Sequence, residues 1–276
     1  MSFTDITKPG QVALVTGAAS GIGRAACRHF AASGMAVAMV DLEGDALPDA
    51  AAEVTEVHPE AAIEVQAFAC DLSSADAMDA LHQDVVDRFG KVNLLMNNAV
   101  TRIGRGHDVG LDEWREAMEV NFWAVVNAVR AFLPGMQASD EPGVIVNVGS
   151  KQGITNPPGH PIYNITKSAL KTYTEGLEHE LRSSPGRKVR AHFLIPGWTT
   201  TGSKAHQQGA WLPEQVIEFM VDGLQHGDFY ILCPDDEVST AQDHRRILWG
   251  ASDITENRPP LSRWHAAFAD EAKKHC

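Results

Sequence analysis

The stretch Thr16-Gly-Ala-Ala-Ser-Gly-Ile-Gly23 lies between an apolar run, Gln11 to Thr16, and a helix-like run from Ile22 to Ser33 that stops at Gly34. A strand, a glycine-rich turn and a helix in this order are typical of dinucleotide-binding units. The glycines let the backbone turn tightly and approach a pyrophosphate, and the start of the helix offers N–H groups and a positive dipole end. The stretch therefore predicts a phosphate-binding βα unit at the start of the fold.

Strand-like and helix-like runs alternate along the rest of the chain. The further predicted strands are Met35–Val40, Ile63–Phe68, Val92–Met96, Val144–Val148, Val189–Ile195 and Phe229–Leu232. The further predicted helices are Asp45–Val57, Ser73–Phe89, Leu111–Met136 and Pro161–Ser183. Such alternation predicts a parallel sheet. We expect an α/β, Rossmann-type doubly wound sheet of about seven strands with helices on both faces, in a single domain over residues 1–276.

An acidic residue ends the second predicted strand. Asp41 lies 18 residues after Gly23, close to the spacing at which a carboxylate accepts the ribose hydroxyls of NAD. A carboxylate there repels the extra phosphate of NADP, and the next residues, Leu42-Glu43-Gly44-Asp45, supply no cation. The alternative is that Asp41 caps the following helix. The spacing favours NAD.

A second chemically distinctive stretch runs from Ser150 to Lys167. Tyr163 and Lys167 are four residues apart, which on a helix places both side chains on one face. A phenol beside an ammonium can act as an acid and a base near neutral pH, because the positive charge favours the phenolate. Ser150 follows the apolar run Val144–Val148, at the strand end where open parallel sheets bind ligands. A plain helix-surface pair is the alternative, and the upstream serine and glycine-rich turn argue against it.

Composition and charge exclude several classes of partner. The 276 residues carry a formal net charge of −13, which argues against nucleic acid and anionic membrane as partners. The polar start, MSFTDITKPG, does not resemble a secretory signal, and no apolar run is long enough to span a bilayer. The four cysteines form no C-x-x-C pair, and the twelve histidines show no metal-ligand spacing. We expect a cytoplasmic protein without a metal site.

Together these motifs resemble those of the short-chain dehydrogenase/reductases in their compact single-domain form. The matching segments, in the order and spacing of that family, are TGAASGIG (Thr16 to Gly23), Asp41, Asp71, NNAV (Asn97 to Val100), Asn121, Ser150, YNITK (Tyr163 to Lys167) and PGWTTT (Pro196 to Thr201). The resemblance spans residues 11 to about 201.

The resemblance implies a role for each matched residue. The implied cofactor-binding residues are Gly17, Ser20, Gly21, Ile22, Gly23, Asp41, Leu42, Asp71, Leu72, Asn98, Ala99, Tyr163, Lys167, Pro196, Gly197, Thr199 and Thr201. Ser150 would hydrogen-bond the substrate oxygen, and Tyr163 would exchange its proton. Lys167 would hold the nicotinamide ribose, and Asn121 would anchor a water that relays protons from Lys167. Two positions depart from the family pattern: Val100 stands where a glycine is usual, and Gly149 where a second serine is frequent.

The segment from Trp198 to about Leu212, which we call the lid, is polar and contains glycine between two tryptophans. Loops of this kind often close over a substrate. The candidate substrate contacts are Ile154, His160, Trp198 and Trp211. The alternative for either tryptophan is that it packs the loop onto the core.

The C-terminal extension, from about 233 to 276, has no matched chemistry. It carries a helical stretch ending near Gly250, a Pro-Pro turn, and an aromatic segment with Trp264 and Phe268. A role in subunit contacts and packing onto its own chain are both open. The resemblance implies a homo-oligomer, a dimer or a homotetramer.

The sequence therefore favours an oxidoreductase that transfers hydride between NAD and a secondary alcohol or ketone. An NADPH-dependent carbonyl reductase is disfavoured by Asp41. A catalytically inactive dinucleotide sensor or scaffold is disfavoured because it would need none of Ser150, Tyr163, Lys167 and Asn121.

Overall fold

A seven-stranded parallel sheet forms the centre of the protein, in a computed structural model that describes residues 3–58, 63–101, 104–202 and 205–276. The strands are β1 (Val12–Thr16), β2 (Ala36–Asp41), β3 (Val65–Ala69), β4 (Leu94–Asn97), β5 (Gly143–Val148), β6 (Val189–Ile195) and β7 (Tyr230–Leu232). Their order is β3-β2-β1-β4-β5-β6-β7, and every neighbouring pair is parallel. The predicted doubly wound α/β fold is confirmed, because the strand order reverses between β1 and β4.

Helices cover both faces of this sheet. They are α1 (Gly21–Ala32), α2 (Ala46–Thr55), α3 (Ala75–Phe89), α4 (Leu111–Met118), α5 (Ala124–Ala138), α6 (Gln152–Thr155), α7 (Pro161–Ser183), α8 (Pro213–His226), α9 (Thr240–Thr255) and α10 (Ala269–His275). Alternate residues of each strand belong to two separate apolar cores: Ala13 and Val15 to one, with α1 and α8, and Leu14 to the other, with α5 and α7. The helices therefore flank the sheet and leave its carboxyl edge open. No helix in the described ranges is long and apolar enough to cross a membrane.

Two predicted helices differ from the structure by more than two residues. The predicted helix Leu111–Met136 is interrupted after α4 by a π-helical turn, Glu119–Trp123, which holds the buried Asn121. Such wide turns often occur at functional sites. The helix expected to end near Gly250 continues to Thr255, because a glycine inside a helix costs only about 1 kcal/mol relative to alanine.

Candidate active site

The loops that follow β1 and β4 are joined by hydrogen bonds at the point where the strand order reverses. The buried hydroxyl of Thr16 accepts hydrogen bonds from the N–H groups of Asn98 (3.0 Å) and Ala99 (3.1 Å). The Asn98 amide donates to the carbonyl oxygen of Gly17 at 3.1 Å. These contacts fix the glycine-rich turn against the loop after β4 and make one rigid wall of a cleft.

The glycines of this turn are required by space as well as by backbone angle. Gly17 and Gly21 have φ values of 65° and 53°, in the left-handed region that side chains disfavour. A Cβ atom at Gly23 would lie 2.1 Å from the carbonyl oxygen of Gly17. The first turn of α1 therefore packs directly on β1, with its N-terminal N–H groups at the cleft.

The cleft runs along the carboxyl edge of the sheet and has a volume of about 1260 Å³. The predicted residues that line it are Gly17, Ser20, Gly21, Ile22, Asp41, Leu42, Asp71, Leu72, Asn98, Ala99, Ser150, His160, Tyr163, Lys167, Pro196, Gly197, Trp198, Thr199 and Thr201. Four predicted residues lie outside its lining: Gly23, Asn121, Ile154 and Trp211. An extended dinucleotide fits a cleft that begins at a glycine-rich helix N-terminus and contains a carboxylate at the end of β2.

Asp41 occupies one end of the cleft. Its carboxylate accepts hydrogen bonds from the N–H groups of Ala19 (2.8 Å) and Leu42 (2.8 Å). The N-cap position of α2 is filled by Asp45 instead. The Asp41 carboxylate is therefore held against the glycine-rich turn, where a ribose would lie beside the phosphates.

Ser150, Tyr163 and Lys167 line the same cleft from two elements. Ser150 follows β5, and its hydroxyl accepts a hydrogen bond from the Gln152 N–H at 3.2 Å. Tyr163 lies in the first turn of α7, and the Lys167 ammonium is 5.9 Å from the centre of its ring. Lys167 is only 2% exposed, so its charge acts in surroundings that screen it weakly.

Asn121 supports this arrangement from behind. Its amide oxygen accepts from the Thr101 N–H (2.8 Å), and its amide nitrogen donates to the Thr101 carbonyl oxygen (3.0 Å) and to the Thr166 hydroxyl (3.3 Å). That hydroxyl donates to the backbone carbonyl of Tyr163 at 2.9 Å. The Asn121 side chain therefore ties the loop after β4 to the helix that carries Tyr163, and its role in holding a water stays a prediction.

The four candidate substrate contacts have different placements. His160 and Trp198 line the cleft, and Trp198 is 42% exposed. Ile154 packs against the core. The indole N–H of Trp211 donates to Asp236 at 3.0 Å, and its ring lies 5.8 Å from that of Phe219. Trp211 thus packs the lid onto the body of the protein, as the alternative interpretation holds. Residues 203–204 of the lid lie outside the described residues.

Metal-ligating side chains do not cluster within the described ranges: no group of three or more His, Cys, Asp or Glu residues is placed to hold an ion. The cleft offers instead a phenol, a hydroxyl, an ammonium and a carboxylate. This set of groups suits proton transfer beside a bound cofactor.

Comparison with known proteins agrees with this geometry. The family profile described as "short chain dehydrogenase" matches residues 11–210. The chain belongs to the short-chain dehydrogenase family. It is similar to the 1-deoxy-11-beta-hydroxypentalenate dehydrogenase of Streptomyces arenae, with 35% identity over 273 residues covering 92% of this chain and 93% of the relative.

Solved structures of short-chain dehydrogenases share this fold over most of the chain. A Burkholderia phymatum short-chain dehydrogenase/reductase in complex with NAD is 27% identical, with a TM-score of 0.78 over 91% of this chain and 96% of that one. A metagenomic short-chain oxidoreductase in complex with NADP is also 27% identical, with a TM-score of 0.69 over 82% and 98%. The protein is thus an oxidoreductase of this family whose fold binds a nicotinamide dinucleotide, and relatives of both cofactor types share the fold.

Sequence reasoning did not single out several polar residues that line the cleft, among them Arg105, Gln152 and Lys151. Lys151, directly after Ser150, lines the cleft and pairs with Asp235 and Asp243 of the C-terminal extension. Its position beside Ser150 was the only available signal, because its partners are distant in sequence.

Proposed function

We propose that the protein is an NAD-dependent dehydrogenase that interconverts a secondary alcohol and the corresponding ketone. The observation that carries the proposal is that Ser150, Tyr163 and Lys167 line the same cleft as Asp41 and the glycine-rich turn. When a dinucleotide places its ribose at Asp41 and its phosphates at the turn, the other end of this cleft remains for its reactive ring.

The side chains divide the chemistry in a simple way. NAD, when bound, supplies the redox chemistry by accepting a hydride at C4 of its nicotinamide ring. Tyr163, as the phenolate, takes the proton of the alcohol hydroxyl, so the alcohol loses a hydride and a proton and becomes a ketone. The Ser150 hydroxyl donates a hydrogen bond to the same substrate oxygen. Hydrogen-bond donors directed at a reacting oxygen usually make the largest electrostatic contribution to catalysis.

Lys167 lies beside this proton-transfer group. Its buried ammonium is 5.9 Å from the centre of the Tyr163 ring, so a positive charge lies next to the phenol. In the reverse direction Tyr163 returns the proton to the oxygen of the reduced ketone. Positioned acids and bases of this kind typically accelerate a reaction about 10²- to 10⁴-fold.

NAD is proposed over NADP because of Asp41. An ionised carboxylate forms hydrogen bonds of about 1.5–3 kcal/mol each with ribose hydroxyls, and it repels a phosphate in the same place. Leu42, which follows it, is apolar and 63% exposed, and supplies no charge to attract that phosphate. An NADPH-dependent carbonyl reductase is the second candidate function.

A turnover screen tests the proposal. The purified protein is assayed with NAD and with NADP across a panel of primary and secondary alcohols, and in reverse with ketones. We expect turnover with NAD and a secondary alcohol. Cofactor binding without turnover of any alcohol or ketone would favour the inactive sensor. A single-domain protein that forms a dimer or tetramer and works in the cytoplasm remains our expectation, and sedimentation analysis tests its oligomeric state.

A further inference from the structure

A buried group of three charges lies next to Ser150. The Nζ atom of Lys151 is 3.1 Å from Asp235 Oδ2 and 2.6 Å from Asp243 Oδ2. The side chains of Lys151, Asp235 and Asp243 are 15%, 4% and 3% exposed, respectively. We call these residues the ion triad. Asp235 follows β7 and Asp243 lies on α9, so the triad joins the C-terminal extension to the residue after Ser150.

The turn that contains Asp235 also holds both ends of the lid. Asp235 Oδ2 accepts a hydrogen bond from the Trp198 N–H at 3.0 Å, where the lid begins. The neighbouring Asp236 donates its N–H to the Gly209 carbonyl oxygen at 3.1 Å and accepts from the Trp211 indole at 3.0 Å, where the lid ends. The Trp211 N–H in turn donates to the Trp198 carbonyl oxygen at 2.8 Å. Any movement of this turn therefore moves both ends of the lid.

Gly197 has no side chain, and the triad occupies the space that a side chain at this position would need. A Cβ atom at this position would lie 2.6 Å from Asp235 Oδ2 and 2.9 Å from Lys151 Nζ. The backbone just before the lid therefore rests directly on the Lys151–Asp235 pair. This contact links the triad to a residue that lines the cleft.

The pKa values of the two carboxyl groups of the triad are shifted in opposite directions. Burial raises the pKa of the Asp235 carboxyl, but the Trp198 N–H and the Lys151 ammonium outweigh it and lower the pKa below its ordinary value. Burial raises the pKa of Asp243, and Lys151 offsets this only in part. Lys151 is thus the cation that both carboxylates share. Removing a shared buried cation leaves two like charges facing each other, which is more disruptive than removing an exposed pair.

We infer that Lys151 is a positioning residue that couples the C-terminal extension to the lid and to the Ser150 loop, and so sets the geometry of the substrate end of the cleft. The inference rests on the proposed function, since it concerns the alcohol site. The role is indirect: Lys151 acts through the Trp198 backbone and through its neighbour Ser150.

The test compares four variants by steady-state kinetics with NAD and a secondary alcohol that the wild type oxidises. Lys151→Met removes the charge and keeps the length of the side chain. We expect its KM for the alcohol to rise about tenfold or more, since small misplacements around reacting groups have large kinetic effects. The Kd for NAD, measured by fluorescence, should rise by a smaller factor than this KM, because Asp41 and the glycine-rich turn, which would hold the other end of the dinucleotide, make no contact with the triad.

The other three variants separate positioning from simple destabilisation. Lys151→Arg keeps the charge and should restore most of the affinity for alcohol. Asp243→Asn removes one carboxylate charge and should give a smaller rise in the same KM. Lys171→Met breaks a half-buried lysine–glutamate pair on α7, at 2.7 Å and outside the cleft lining, and should leave both constants unchanged. A folded Lys151→Met protein with the wild-type KM overturns the inference, as does an unchanged KM in Asp243→Asn if Lys151→Met does not fold.

Hydrogen exchange on the wild-type protein gives an independent result. The backbone amide hydrogens of Trp198 and Trp211 should exchange with solvent as slowly as those of α9, because the triad connects this part of the lid to α9. Fast exchange at both amides overturns the inference. If the wild type oxidises no alcohol, the proposed function fails, and this exchange experiment still decides whether the triad holds the lid.

Discussion

The ammonium of Lys167 donates a 2.7 Å hydrogen bond to the carbonyl oxygen of Val148, two residues before Ser150. This bond joins the second turn of α7 to the end of β5. Because Lys167 is buried and Tyr163 lies one helical turn before it, the bond fixes the distance between the charge and the phenol ring. Tyr163 is thereby held on a regular helix, and Ser150 lies only two residues beyond the end of the strand that the bond ties to it.

Tyr163→Phe keeps the ring and removes the exchangeable proton. We expect turnover to fall by about 10²- to 10⁴-fold, the usual contribution of a positioned acid or base, while the Kd for NAD stays near the wild-type value. The matched control is Tyr173→Phe, on the same helix but outside the cleft lining. Substantial turnover in purified Tyr163→Phe would show that another group exchanges the proton.

Asp41→Ala should weaken NAD and improve NADP. We expect the wild type to prefer NAD by a factor well above about a hundred, because the carboxylate bonds the ribose hydroxyls and repels the extra phosphate. Adding Leu42→Arg should shift the preference further, since an arginine can pair with a phosphate. The measurement is kcat/KM with each cofactor. Asp45→Ala, which removes an exposed carboxylate at the start of α2, is the control. Equal use of both cofactors by the wild type would contradict the NAD assignment.

Gly23→Ala should be severely destabilising and should abolish dinucleotide binding. Its Cβ would meet the Gly17 carbonyl oxygen at 2.1 Å, so α1 would have to move away from β1. The same substitution at Gly250, inside α9 with open space around a Cβ, should raise the free energy of unfolding by about 0.5–1 kcal/mol. Thermal and urea unfolding measure both effects. A stable Gly23→Ala protein that still binds NAD would be inconsistent with the close packing of this turn.

Trp198→Ala should raise the KM for bulky alcohols more than the KM for small ones, because the side chain lines the cleft. Trp211→Ala serves as the paired variant. It removes the hydrogen bond to Asp236 and the contact with Phe219, and should lower stability with little dependence on substrate size. If Trp198→Ala raised the KM equally for small and bulky alcohols, Trp198 would also be a residue that packs the lid rather than one that contacts the substrate.

His192 should make stability depend on pH below neutrality. Burial lowers the pKa of this histidine below its ordinary value of 6.5, although its ring nitrogen lies 2.7 Å from the Asp228 carbonyl oxygen. Below pH 6.5 the histidine of the unfolded chain therefore binds a proton, whereas the buried ring of the native protein binds one only at a lower pH. The contribution to stability is present above pH 6.5 and is lost as the pH falls toward the native pKa, with a slope of up to about 1.4 kcal/mol per pH unit.

Urea unfolding of the wild type and of His192→Asn between pH 5.5 and 7.5 measures this slope. The variant has no titrating ring at this position, so its stability should vary less with pH even if its absolute stability is lower. Equal slopes in the two proteins would show that other groups are responsible.

The fold was predictable because its signals are local. The glycine-rich turn between β1 and α1, and the alternation of strands and helices, each depend on short stretches of chain. The groups lining the cleft were predictable for a related reason, since parallel strands place their carboxyl ends at one edge. Asp41 and Ser150 both lie at such strand ends.

The remaining features depend on tertiary contacts that no local pattern marks. Lys151 and Asp235 are 84 residues apart, and each alone looks like an ordinary charged residue. Asn121, in the π-helical turn after α4, is bonded to Thr101, which lies 20 residues earlier in the loop after β4. Trp211 is a candidate substrate contact because of its position beside a polar loop, with packing onto the core as the alternative, and its bond to Asp236 and contact with Phe219 depend on residues outside that loop.

The parallel bridge between Thr199 and Trp211 has a consequence for how this protein can change. The bridge brings the two ends of the intervening chain together independently of what lies between them. Lengthening a loop with fixed ends costs only about 0.6 kcal/mol per doubling. Residues inserted into this chain after Gly202 should therefore cost little stability, so new alcohol specificities can be selected from loop libraries placed there while Thr201, the sheet and the proton-transfer groups stay unaltered.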